Sequence, residues 1–394
     1  MADQKFAVLL FRKTGLTPGA LAAIGTIVAV GVAVSIMPPL LSLNLSDRGV
    51  SERTIGLLVA TIALSAMIVT PIAPILARRF GTATSIAVLT PAAAALVPLA
   101  WIIHDLRILF PLVFVYGALI TSCFVLSEYW INAVTPERRR GLVMGIYATV
   151  LSLGFATGPA IISIVGYNSI RPFFIGSMLL AFAGVPAILA RKRSPRFRAE
   201  ESPRFVSFII AMPLATFGVF CFAMGESSGF AFLPLWGKAL GYADYLVPML
   251  ASAMTLGNVV FQIPLGLFAD RVDRRLILLF CGLVGAAGMA VGWAVASSPA
   301  LLMMTLFVWG GATAGLYTVG LAHLASRYRG NALASANAAF IFCYALGMLI
   351  GPGAVGEAMT RQPTSGFPAV LGATFLFYSL IATWRIASTR AQRT

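Results

Sequence analysis

Twelve long apolar runs follow one another with only short connectors between them, and this spacing decides the fold class. They cover about 17–43, 54–77, 82–103, 108–134, 141–166, 171–190, 205–236, 243–268, 276–296, 300–326, 331–356 and 367–388. A helix that crosses a bilayer needs about 20 predominantly apolar residues, because inside lipid its backbone polar groups must be satisfied within the segment. Hydrophobic residues are 59% of the chain and charged residues 10%. A water-soluble domain holds about half and about a quarter, so one soluble core is excluded. The sequence predicts an all-α integral membrane protein with twelve transmembrane helices, successive ones antiparallel because their connectors are short.

The formal net charge is +15. On a soluble domain that balance would point to nucleic acid. Here the basic residues gather in connectors, where positive charge fixes topology, and no nucleic-acid partner is expected. With the N-terminus cytoplasmic, all but six of the 28 Lys and Arg fall in cytoplasmic segments, among them Arg78, Arg138, Arg139, Arg140, Arg327 and Arg329. The six exceptions are Arg48, Arg53, Arg107, Arg171, Lys238 and Arg361. The bias predicts a multi-pass protein of a bacterial-type inner membrane, in the lipid bilayer, with both termini cytoplasmic. No cleavable signal peptide is expected. Cys123, Cys221, Cys281 and Cys343 all lie in apolar runs and form no CxxC pair, so they read as small buried hydrophobes. His104 and His323 are the two histidines. Neither metal nor cofactor is expected.

The polar stretch RKRSPRFRAEESPR at 191–204 falls near the midpoint, and Pro195 and Pro203 oppose a continuous helix there. It divides the chain into 1–190, a cytoplasmic linker at 191–204, and 205–394. The halves repeat. PILARRFG at 74–81 and GLFADRVD at 266–273 align at a shift of 192. FVYG at 114–117 pairs with FVWG at 307–310, and Gly-Pro at 158–159 with Gly-Pro at 351–352, both at a shift of 193. Three matches in order at nearly one offset predict two pseudo-symmetric six-helix bundles in parallel repeat.

GLFADRVDRR, residues 266–275, packs five charges into six positions between two apolar runs. Topogenic arginines account for part of this, but not for two aspartates, and a carboxylate at a membrane-helix end needs a partner. Asp270, Arg271, Arg274 and Arg275, with Arg79 of the first half, read as a cytoplasmic gate whose charges pair in one conformation and separate in another. The stretch resembles the loop signature of the major facilitator superfamily, G-x-x-x-D-R-x-G-R-R, with Asp273 where glycine is usual. The first-half copy departs further, with Pro74 and Arg78 in place of the glycine and aspartate. Gly145, Gly154, Gly158 and Pro159 follow the spacing G-x8-G-x3-G-P, similar to the antiporter motif of that superfamily. Ile162 and Ser163 stand where its trailing glycines would be. Close helix packing is an equal explanation of these glycines. SEYWINAVTPERRRG at 127–141 resembles the exit of span four in the YcaD-like branch.

Glu128, Glu226 and Glu357 lie within or at the ends of apolar runs, and an acid inside a membrane is a functional candidate. Glu357, at an outer end, reads as solvated. Glu128 either carries protons or pairs with an arginine of the 138–140 loop. Glu226 lies deep in span seven without a basic neighbour in sequence, as a proton-coupling acid or as a carboxyl that caps backbone or contacts substrate. Gly225, Ser227 and Gly229 spell G-x-S-x-G, but a helix is not the strand-turn-helix setting in which that motif makes a nucleophile. The resemblance implies a cavity lined by spans one, four, seven and ten. Its candidate residues are Ser35, Tyr116, Thr121, Phe222, Ser227, Trp309, Thr313 and Tyr317, with Asn258 and Gln262 of span eight and Asn337 and Tyr344 of span eleven. Each has a packing role as its alternative.

The expected function is secondary active transport of a small organic solute by alternating access, coupled to protons, in a monomer that is not an enzyme. An aromatic cavity suits a planar or amphipathic solute. The degraded first-half loop and the lack of an acid in span one are unlike the common multidrug antiporters, which leans the reading to uptake of a nutrient or vitamin. The resemblance implies a riboflavin-like compound as one example. The alternative is proton-driven efflux of amphipathic drugs or metabolites. A non-transporting receptor would call for a large soluble insertion. The GxxxxGK[ST] loop of an ATP-driven pump does not occur.

Overall fold

The computed structural model describes residues 18–135, 140–194, 206–269 and 271–391. All the regular elements among them are helices. Eleven are long and apolar enough to cross a membrane, and Arg140–Val165 takes the fifth place in the series. Span one is Pro18–Asp47, span two Glu52–Val69 continued by Ala73–Phe80, span three Thr82–Ile102 and span four Leu106–Val134. Span six is Arg171–Phe182 continued by Val185–Leu189, and span seven Val206–Ala211 continued by Pro213–Ala239. Spans eight to twelve are Met249–Ala269, Arg274–Ala294, Pro299–Ala325, Gly330–Arg361 and Gly366–Ala391.

Three runs that the sequence reads as continuous are broken, at 70–72, 183–184 and Met212. Proline accounts for each break. Pro71 and Pro74, Pro186 and Pro213 supply no N–H at that turn, and Met212, before Pro213, leaves the helical region with φ −128° and ψ 55°. Two helix starts are fixed by aspartate. Asp105 accepts from the Arg107 N–H at 2.8 Å before span four, and Asp273 accepts from the Arg275 N–H at 3.0 Å before span nine. Each satisfies an N–H that the first helical turn leaves free.

Contacts divide the chain into two compact units. One holds the described residues of Met1–Met37, Leu64–Ile161 and Tyr167–Glu200; the other holds those of Pro38–Ala63, Ile162–Gly166 and Glu201–Thr394. In the first unit, span three packs on spans four and six, and the continuation of span two packs on span four. Span one packs on span five, where a Cβ on Gly154 would meet Val28 O at 3.1 Å. In the second unit, span nine packs on ten and twelve, span eight on ten, and span seven on eleven. Shifting the span number by six maps one set of pairings onto the other, so the repeat seen in sequence is a repeat of helix contacts. The four cysteines are buried.

Candidate functional site

The second unit assembles three of the expected site residues, Phe222, Tyr317 and Tyr344, with a fourth, the carboxylate Glu226. Glu226 is half-buried on span seven. The Tyr344 hydroxyl of span eleven donates to Glu226 Oε2 at 2.6 Å. Phe222 stands one helical turn before Glu226, so both project from the same side of span seven. Its ring centroid lies 6.0 Å from Tyr317 of span ten and 6.3 Å from Tyr344. Tyr317 and Tyr344 are 5.9 Å apart and nearly perpendicular, within the range of favourable aromatic pairs. Phe340 backs Tyr317 at 5.4 Å. Glu226 forms no ion pair among the described residues. A hydrogen-bonded carboxyl beside three ring faces can exchange a proton, bond a polar solute group and stack a planar one.

Ser227, next in sequence, turns back into its helix and donates to Ala223 O at 2.8 Å. The G-x-S-x-G stretch is plain helix. Gly225 leaves room for Trp309, 3.1 Å from where a Cβ would stand.

Several expected cavity residues are buried in helix contacts in this structure. Trp309 is 1% exposed; its indole N–H donates to Gly285 O at 2.9 Å and its ring meets Phe375 edge-on at 5.7 Å. Thr313 is buried and donates to Trp309 O at 2.8 Å. In the first unit, Tyr116, the repeat partner of Trp309, is equally buried. Ser35 is buried, donates to Val32 O at 2.9 Å and reaches Gly154 O on span five at 3.3 Å. Trp309 and Ser35 fill gaps that glycines leave, Trp309 beside Gly225 and Gly288 and Ser35 beside Gly158. Thr121 and Asn258 are half-buried on spans four and eight.

The glycine motif of span five also serves packing. Gly154 and Gly158 face span one, and Pro159 is buried beside them; what surrounds Gly145 lies outside the described residues. At a shift of 193, Gly347 and Gly351 face span seven, where a Cβ on Gly351 would meet Met224 O at 2.8 Å.

Of the expected gate, Asp270 lies outside the described residues. Asp273, the departure from the signature, caps span nine and stands 3.7 Å from Arg275 Nε. Arg271 is exposed and Arg274 half-buried. In the first unit, Arg79 lies over the Phe80 ring, 5.4 Å from its centroid. Glu128 is exposed on span four, its carbonyl accepting from Asn132 Nδ2 at 2.9 Å and its carboxyl within electrostatic reach of Tyr147. Of its expected partners in the 138–140 loop, Arg138 and Arg139 lie outside the described residues and Arg140 opens span five.

The sequence reading missed an ionic cluster at the other end of the second unit. Lys238 pairs with Asp47. Glu357 takes Arg53 Nε at 3.3 Å and an Arg361 guanidinium nitrogen at 2.7 Å. The Arg53 N–H also donates to Thr360 Oγ1 at 2.9 Å. Arg53, Lys238 and Arg361 are three of the six exceptions to the charge bias, and that was the available signal. Nearby in the loop after span seven, burial raises the Tyr242 phenol above its ordinary pKa, and its hydroxyl donates to Ala296 O at 2.7 Å.

A helical membrane bundle of two like units, with a hydrogen-bonded acid among aromatic rings in one of them, has the architecture of a multi-span solute carrier. The sequence profile of the Major Facilitator Superfamily matches residues 20–251 and 215–394, and the chain belongs to that superfamily of transporters. It is 26% identical over 241 residues to the uncharacterized MFS-type transporter YfkF of Bacillus subtilis (strain 168), covering 59% of this chain and 61% of that one. It is 25% identical over 248 residues to YcaD of Escherichia coli O9:H4 (strain HS), covering 61% and 62%. The match therefore spans about three fifths of each relative's length. Among solved structures, the nucleoside transporter NupG is similar with a TM-score of 0.70 at 16% identity, over 94% of this chain and 98% of that one. A D-xylose-proton symporter gives 0.69 at 15% identity, over 92% and 96%. These likenesses are of fold.

Proposed function

We propose that this protein is a proton-coupled importer of a small organic nutrient, working by alternating access in a bacterial-type inner membrane with both termini cytoplasmic. The observation that carries this is the Glu226–Tyr344 pair set among Phe222 and Tyr317. Glu226 is the coupling acid and Tyr344 its hydrogen-bonding partner. The rings receive a planar part of the solute, for example that of a flavin-type vitamin. That similar folds serve a nucleoside transporter and a sugar-proton symporter supports a polar organic solute and proton symport. The glycine motif of span five does not weigh for export, since its counterpart in span eleven makes the same kind of contact.

Proteoliposomes test this. A riboflavin and nucleoside panel is offered under an imposed proton gradient of about one pH unit. One-to-one symport then sustains about tenfold accumulation, because a pH unit is worth about 1.4 kcal/mol. Glu226→Gln is expected to reduce accumulation to about onefold while solute exchange continues. Accumulation by Glu226→Gln equal to wild type, or uptake indifferent to collapse of the gradient, would refute the coupling role. Outward pumping of amphipathic cations with no uptake of the panel would establish efflux instead.

A further inference from the structure

At the arginine-rich end of the second unit, a depression of about 370 Å³ opens between the loop after span eight and the end of span ten. Arg271, Arg274, Arg275 and Arg327 line it, with His323 and Asp273. The positive-inside rule asks only that arginines lie on one side of the membrane; it does not ask four of them to share one wall. The carboxylate among the lining residues, Asp273, is already engaged, capping span nine and standing 3.7 Å from Arg275 Nε. Arg271 and Arg327 are exposed and form no ion pair among the described residues. Gathered like charges repel, and an anion between them relieves that repulsion.

Guanidinium forks match phosphoryl oxygens two at a time, and the volume suits a phosphate ester. Apolar side chains adjoin the site. Val272 lines the depression, and Phe268, Leu276 and Phe280 close by in sequence are exposed. We propose that this depression binds a phosphate-ester anion, with the headgroup of an anionic phospholipid as its occupant in the membrane. The acyl chains then run along Phe268, Leu276 and Phe280. The site is separate from the Glu226 cluster, and its assignment is independent of what the protein transports.

The test is thermal unfolding of the purified full chain in neutral detergent. Dioleoylphosphatidylglycerol, dioleoylphosphatidylcholine and sn-glycerol 3-phosphate are titrated separately. Phosphatidylglycerol is expected to raise Tm and phosphatidylcholine to leave it unchanged. Arg271→Gln/Arg327→Gln is expected to shift the half-effective phosphatidylglycerol concentration at least about tenfold upward, as loss of two charge-assisted contacts requires. Arg191→Gln/Lys192→Gln, which removes an exposed basic pair that is not among the lining residues, is expected to keep the wild-type value. Protection by glycerol 3-phosphate that the first pair of changes abolishes would sustain the site and make its source a soluble phosphate ester. Equal losses in the two double variants, no loss in Arg271→Gln/Arg327→Gln, or no protection by either anion would overturn the proposal. Should that variant fail to fold, Arg271→Lys/Arg327→Lys keeps the charge but removes the forks, and an unchanged titration there would overturn it equally.

Discussion

Tyr344 makes two separable contributions, a ring in the aromatic cluster and a hydroxyl on Glu226. Tyr344→Phe keeps the first and removes the second. A hydrogen bond to a charged group is worth about 1.5–3 kcal/mol, so the variant is expected to transport at least about tenfold more slowly while Tm changes by a few degrees at most. Initial-rate uptake beside a melting curve checks this; wild-type rates would remove Tyr344 from the mechanism. Trp309 gives the opposite pattern. It is buried in helix contacts, and Trp309→Ala is expected to cost about 3–5 kcal/mol of stability, seen as loss of folded protein on gel filtration. Both tyrosine and tryptophan were legible in the sequence as intramembrane aromatics at notable positions. Which one stands beside Glu226 was not, because the recurrence that singles out Tyr116 and Trp309 falls on residues buried in helix contacts. The Glu226 cluster draws on three spans, a juxtaposition that no single stretch displays.

At the level of the helix, run length and connector charge predict every span, because lipid leaves the backbone little choice. The interruptions in spans two, six and seven were hidden by apolar residues on both sides, although proline marks each. The glycine pairs tell which helices touch. Gly154 and Gly158 lay span five on span one, and Gly347 and Gly351 lay span eleven on span seven. A valine at Gly351 must displace the Met224 backbone, its Cβ falling 2.9 Å from Met224 Cα. Overpacking of this kind costs about 1–3 kcal/mol. Gly158→Val and Gly351→Val are therefore expected to lower Tm alike, with Gly→Ala at each position intermediate. Melting curves of the four variants decide it. A large loss at one position and none at the other would show that the two contacts are not equivalent.

For the whole molecule, the expected bias of basic residues toward one side of the membrane is most informative where it fails. Three of its six exceptions belong to the cluster of Asp47, Arg53, Lys238, Glu357 and Arg361, which holds the ends of spans one and two to spans seven and eleven within the second unit. Side chains in these pairs are at least about a third exposed, where an ion pair is worth about 0–1 kcal/mol. Such pairs are too weak to lock the protein and strong enough to bias it. Alternating access, as proposed, requires these helix ends to part in each cycle. Glu357→Gln removes the common partner of Arg53 and Arg361, and a loss of about 1 kcal/mol raises the open population about fivefold. Val59, buried on span two, reports the parting when replaced by cysteine and challenged with a membrane-impermeant maleimide. Labelling of Val59→Cys is expected to quicken about fivefold with Glu357→Gln, and to quicken in wild type as salt screens the pairs. Arg171→Gln removes another of the six exceptions, one without an ion pair among the described residues, and is expected to leave the rate unchanged. If Glu357→Gln and high salt both leave labelling at the wild-type rate, the cluster is surface decoration and the barrier to opening lies in the apolar contacts beneath it.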